Sequence, residues 1–149
     1  MKLEEAIQQR AFKSPQQKAI LNVMYTASWI TTMSERMFKD FDITSQQFNV
    51  LRILRGRYPQ TLCAGEVKAV MIDKNPDLTR LCDRLAAKSL IERQLNAANR
   101  RQVLIGITPA GLDLLQQIEP TLESHAGDFH HLSDADATAL SELLDRLRG

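Results

Sequence analysis

Thr79, Arg80, Arg84 and Lys88 crowd the polar side of one stretch, DLTRLCDRLAAK, and Arg100 and Arg101 follow in NAANRRQ. A guanidinium presents paired donors that match a guanine edge, and a threonine hydroxyl can meet a base or a phosphate. An arginine carried on a loop stays solvated at little cost and fits a narrow, electronegative minor groove. This is the chemistry of recognising a polyanion rather than of making bonds. No glycine-rich phosphate loop is present, and no nucleophile has a recognisable base and oxyanion hole nearby, so neither an enzyme nor a cofactor is expected.

These side chains need a helix and a ribbon to hold them. Asn75 as N-cap and Pro76 at the first position predict a helix start. Leu78, Leu81, Cys82 and Leu85 then form one apolar stripe at helical spacing. Arg80 and Asp83 lie opposite it, with Thr79 and Arg84 on the flanks and Lys88 near the end. Leu90 to Leu95 and Arg101 to Ile107 read as two strands joined by the turn Asn96-Ala97-Ala98-Asn99. A recognition helix followed by a basic hairpin is the order of a winged helix-turn-helix that holds double-stranded DNA. The first helix of that pair is expected around Val67, Val70 and Met71, after a short extended piece at Thr61-Leu62-Cys63.

Around this unit lie longer helices. Ser14 caps and Pro15 opens one running to Phe41, with Ile20, Val23, Ala27, Ile30, Met37, Phe38 and Phe41 on one face. Tyr25, Trp29 and Met33 follow at four-residue spacing on the other side, so the helix is apolar nearly all round and has to be covered twice. The second cover is either simple packing or a dimer contact, or else a small-molecule pocket lined by those three residues. Thr44 with Gln47 forms a capping box for the next helix, which Ile43 staples onto Phe48 and which carries Phe48, Leu51 and Leu54. Thr108-Pro109 opens a helix to about Ser124, with Leu112, Leu115, Ile118 and Leu122 along it and Pro120 expected to bend it. Ser133 opens the last helix, with Leu140, Leu143, Leu144 and Leu147 as its stripe. Terminal helices of this kind leave apolar surface bare in a single copy and predict a homodimer.

At 149 residues, with 44% hydrophobic and 25% charged, the chain fits one globular domain. The fold expected is mainly α with a small β-hairpin wing. Residues 14–42 and 109–149 form a helical dimerisation region from both ends, around a winged helix-turn-helix at 43–108. The net charge of +1 hides a segregation: residues 44–108 hold 11 Lys and Arg against 5 Asp and Glu, while the remainder holds 8 against 13. A positive middle suits phosphate neutralisation. No apolar run approaches the length of a membrane span, and MKLEEAIQQR lacks a signal core, so a cytoplasmic protein without membrane contact is expected.

The runs ITSQQFNVLRIL, LTRLCDRLAAKSLIER, NRRQVLIGIT and TPAG, in this order of helices, resemble the MarR family of bacterial transcriptional regulators. The resemblance implies a homodimer clasped by its terminal helices, with each half reading half of a palindromic operator. It also implies a repressor released by a small lipophilic or phenolic ligand bound between the dimerisation and DNA-binding parts. Thr79, Arg80 and Arg84 fall where the family's recognition helix meets bases and phosphates, and Arg101 falls on the arginine of its wing motif. Two positions depart from the pattern. Asn99 replaces the acidic partner of that arginine, and Ser89 replaces a glycine after the recognition helix.

Three other readings share these residues. A winged helix can bind protein partners without binding DNA. Cys82 on the buried stripe and Cys63 near a helix start allow a thiol-responsive regulator. His125, His130 and His131, beside Glu123 and Asp128, allow a metal-responsive one, although their spacing matches no structural zinc pattern.

Overall fold

The computed structural model describes residues 1–127 and 131–149. Its elements in order are α1 (Leu3–Ala6), α2 (Pro15–Lys39), α3 (Ser45–Arg57), β1 (Leu62–Cys63), α4 (Ala64–Val70), α5 (Leu78–Ala87), β2 (Ile91–Leu95), β3 (Val103–Ile107), α6 (Pro109–Ala126) and α7 (Asp134–Arg148). The short α1, whose Leu3 is buried, has no counterpart in the helical spacing expected from the sequence.

Most helix starts follow from local chemistry. The hydroxyls of Ser14, Thr44, Thr108 and Ser133 accept from the backbone N–H groups of Gln17, Gln47, Gly111 and Asp136, and each thereby satisfies an orphan donor of the first turn. Thr44 and Gln47 close the full capping box. The start of α5 differs from expectation. Asp77, not Asn75, is the N-cap, its carboxylate accepting from Arg80 N at 3.2 Å. Pro76 is buried outside the helix, and Asn75 N donates instead to Asp73 Oδ1 at 3.0 Å. A carboxylate two residues on is the stronger acceptor, so the helix begins at Leu78.

α3 is the hub. Val50, Leu51 and Leu54 on it are fully buried, and it touches α2, α4, α5, α6 and β3. Its Phe48 ring stacks on Phe38 of α2 at 4.6 Å between centroids. Leu85 of α5 and Leu115 and Ile118 of α6 complete this core, which forms without the polar faces of α5. The expected two-stranded hairpin is part of a three-stranded antiparallel sheet, ordered β1-β3-β2. Leu62 pairs with Ile105 and Ile91 with Ile107, which ties the wing to the chain just before α4.

Two helix ends take an unusual route. Ser89 has φ 59° and Asp42 has φ 53°, the left-handed region where glycine is usual. After α5, Ser89 N donates to Ala86 O at 2.9 Å and Leu90 N to Leu85 O at 3.0 Å. After α2, Asp42 N donates to Lys39 O at 3.1 Å and Ile43 N to Phe38 O at 3.3 Å. Each pair satisfies carbonyls that the helix end would otherwise leave bare, which offsets the strain of a side chain there.

α2 and α7 are different in kind. Only Met37 and Phe38 of α2 are buried, and no residue of α7 is. Ile20, Val23, Met24 and Ile30 of α2 and Leu140, Leu143 and Leu147 of α7 are all exposed.

Candidate nucleic-acid interface

The strong amphipathicity of α5 divides its residues cleanly. Leu78, Leu81, Cys82 and Leu85 are buried, while Thr79, Arg80, Asp83, Arg84 and Lys88 are exposed. Arg80 and Arg84 lie one turn apart and border, with Thr44, Gln46, Gln47 and Asp77, a groove of about 260 Å³ between α5 and the start of α3. Thr79 faces the wing. Together with Arg93, Leu95, Arg101 and Val103 it lines a cleft of about 670 Å³ whose walls are mostly apolar. The fold thus brings Thr79 and Arg101 to one cleft and turns Arg80 and Arg84 toward another.

Asp83 is the one acidic group on the exposed face of α5, and there it would repel a phosphate. Arg93 of β2 pairs with it. Both partners are partly exposed, so the pair adds little stability. Its consequence is local: it offsets the negative charge where β2 runs beside α5. Arg93 was not singled out from the sequence, because only the register of β2 shows which way its side chain reaches.

Lys88 takes a different place from the other basic residues. Its ammonium reaches the Asp42 carboxylate at 3.1 Å and also the Asp42 carbonyl, so it links the end of α5 to the corner between α2 and α3. A shallow cavity of about 590 Å³ surrounds this link, bordered by Glu35, Lys39, Arg84 and Lys88.

The wing tip is ordered by amides. Asn96 Oδ1 accepts from Ala98 N at 3.0 Å, and Asn96 Nδ2 donates to Gln102 Oε1 at 2.8 Å. Asn99 Oδ1 accepts from the backbone N of Arg101 at 3.2 Å. Asn99 therefore shapes the loop through the Arg101 backbone rather than through its guanidinium. Arg100 and Arg101 are exposed, and among the described residues neither has an ion-pair partner.

The remaining candidates fall elsewhere. Tyr25 and Trp29 are exposed on α2 and Met33 is half-buried, and none of them lines the three cavities around α5. Both cysteines are free and border the cleft beside the wing. Burial pushes the Cys82 thiol up, which keeps it protonated. Cys63 N donates to the Glu66 carboxylate at 2.8 Å, and the bonds from Cys63 hold that carboxyl below its ordinary range. Of the histidine cluster, His130 and its neighbour Asp128 lie outside the described residues. Among the described residues no group of His, Cys, Asp or Glu is placed to hold a metal ion, and no helix is long and apolar enough to cross a membrane.

Known proteins share this arrangement. The chain is 34% identical over 113 residues to the multiple antibiotic resistance protein MarR of Salmonella typhimurium, a match spanning 71% of this chain and 74% of the relative. The protein of that name from Escherichia coli is 36% identical over the same shares of both chains. Among solved structures, a MarR transcription factor from Planctomyces limnophilus is 32% identical, with a TM-score of 0.69 over 91% of this chain and 98% of the other. A cysteine-to-serine mutant of Escherichia coli MarR complexed with operator DNA is 25% identical, with a TM-score of 0.71 over 90% of this chain and 99% of the other. No family model matches the sequence. On the strength of these relatives and of the shared winged-helix architecture, the chain belongs to the MarR family of transcriptional regulators.

Proposed function

We propose that this protein is a homodimeric, sequence-specific repressor that binds a palindromic operator and is released by a small lipophilic or phenolic ligand. The observation that carries the DNA-binding part is the exposed row of Thr79, Arg80 and Arg84 on a helix buried along its other side, beside a wing whose Arg100 and Arg101 are exposed and have no ion-pair partner among the described residues. In this reading Arg80 and Arg84 meet the major groove, and Thr79 contacts a base or a phosphate. Arg101, helped by Arg100 and by the loop that Asn99 shapes, enters the adjoining minor groove. Lys88 acts near the backbone from its link to Asp42. The operator complex of the Escherichia coli relative supports the same use of the fold.

Residues 43–108 act as the DNA-binding region, and residues 14–42 and 109–149 as the dimerisation region. The bare apolar faces of α2 and α7 support that division. Two recognition helices must then sit about one helical turn, roughly 34 Å, apart along one face of the duplex. A ligand that favours another spacing weakens binding by its differential affinity for the two arrangements. Tyr25, Trp29 and Met33 on α2 are the residues proposed to meet that ligand, in a pocket completed by the dimer.

Selection of bound duplexes from a random pool, followed across salt concentrations, tests the proposal. A palindromic consensus with half-sites about one turn apart is the result expected. No enrichment by the folded protein would move the assignment to a protein-binding winged helix.

A further inference from the structure

Asn49 is a polar side chain deep in the hub helix, only 5% exposed among Val50, Leu51, Ile53 and Leu54. Its Oδ1 accepts from the backbone N of Ile72 at 2.9 Å. Its Nδ2 is buried and has no partner among the described residues. Leaving a buried donor unsatisfied costs stability, so this amide is not explained by core packing. An apolar residue of similar size would fill the same space without that cost.

What the amide does is hold the turn between the two helices of the DNA-binding pair. Ile72 follows the end of α4, and its side chain is 79% exposed, so packing holds this segment only at its two ends, through the buried Met71 and Pro76. One residue on, the Asp73 carboxylate accepts from Gln46 Nε2 of α3 and from Asn75 N. Gln46 and Asn49 lie three residues apart, on neighbouring positions of one side of α3. Two adjacent turn residues are therefore tied to the same helix, immediately ahead of the Asp77 cap that starts α5.

We infer that Asn49, assisted by Gln46, is a positioning residue for DNA reading: it fixes the turn from which the recognition helix emerges, and so sets where Thr79, Arg80 and Arg84 stand. This rests on the DNA-reading function proposed above. A helix displaced by a small distance keeps its charge and its non-specific attraction to phosphates but loses the alignment that base contacts need. Asn49 therefore acts on specificity rather than on overall affinity or stability.

The test compares the full chain with Asn49→Leu on a duplex carrying the selected consensus and on a scrambled duplex of equal length. Expected for Asn49→Leu are an unfolding midpoint no lower than the parent's, faster hydrogen exchange at the Ile72 amide, and an unchanged salt slope. The ratio of consensus to scrambled affinity should fall by roughly tenfold. An unchanged ratio in the folded variant would overturn the inference. Should Asn49→Leu lower the midpoint, the surface variant Asp73→Ala carries the test, since it removes the Gln46 and Asn75 bonds without touching the core; there too the ratio must fall, and an unchanged one overturns the inference. A parent protein with no preference for any duplex would remove the DNA-reading proposal and this inference with it, whereas a selective parent with an equally selective variant would remove this inference alone.

Discussion

Arg80 and Arg101 carry like charges, and in the proposed reading of DNA they meet different grooves. A major-groove guanidinium can match a guanine edge, so Arg80→Ala should relax preference at one position of each half-site and cost about 1–3 kcal/mol of binding. A minor-groove arginine works chiefly through phosphate potential and groove width, so Arg101→Ala should weaken all duplexes and flatten the salt slope by roughly one unit. Binding titrations on matched and mismatched duplexes at several salt concentrations separate the two; identical profiles for both variants would contradict this division of labour. The cysteines differ in the same residue-by-residue way. Cys82 is 3% exposed with its thiol pushed up by burial, so it should stay unmodified by a thiol reagent at neutral pH while the half-buried Cys63 reacts, and should become labelled only on unfolding. Because its folded pKa is raised, the protonated thiol's contribution to stability is complete below the ordinary thiol pKa and is lost as pH rises through the raised value. Mass spectrometry of labelled protein reads the first effect directly.

At the scale of elements, the ends of helices were the most legible part of the sequence, since a cap is a contact between residues two or three apart. Ser14, Thr44, Thr108 and Ser133 all cap as their spacing implies. The start of α5 differs from the expectation because Asn75 and Asp77 both offer a cap; the Asp77 carboxylate, the stronger acceptor, takes it, while Asn75 turns its backbone N–H to Asp73. The pairing of β1 with β3 joins residues more than forty positions apart, which no local pattern contains. The same distinction between local and distant contacts applies to the site. The polar face of α5 was legible from its period, whereas the Asp83–Arg93 and Lys88–Asp42 links were not. Two substitutions test the junctions after the recognition helix. Ser89 occupies the left-handed conformation at φ 59°, so Ser89→Gly should stabilise the fold by up to about 1 kcal/mol, read in a denaturant titration. Gly111 is the opposite case. A Cβ there would stand 2.3 Å from the Leu90 carbonyl oxygen and 2.7 Å from Ile107 Cγ1, so Gly111→Ala has to separate α6 from the base of the wing and should cost about 1–3 kcal/mol. No loss in the same titration would mean that this close approach is not maintained in solution.

At the scale of the molecule, a single copy leaves two helices half finished. The upper part of α2 exposes Ile20, Val23, Met24, Tyr25, Trp29 and Ile30, and α7 exposes Leu140, Leu143 and Leu147 without burying any residue of its own. A 15-residue helix with no buried side chain gains too little from its own hydrogen bonds to persist in water, so its order has to come from apolar cover supplied elsewhere. A second copy presenting the same faces would supply it, and the proposed two-fold arrangement would also place two α5 helices on one side of a duplex. If this is the reason for the bare faces, assembly and operator binding must fail together while the hub around α3 survives. Leu143→Glu puts a charge on the α7 face without entering that core. Sedimentation should show the parent as a dimer whose thermal midpoint rises with concentration, and the variant as a monomer whose midpoint does not. Operator affinity of the variant should fall by roughly a hundredfold or more, because the second half-site no longer binds as part of one particle. A variant that remains dimeric would show that α7 is covered by some other contact, and a monomeric variant with full operator affinity would show that each copy reads DNA alone.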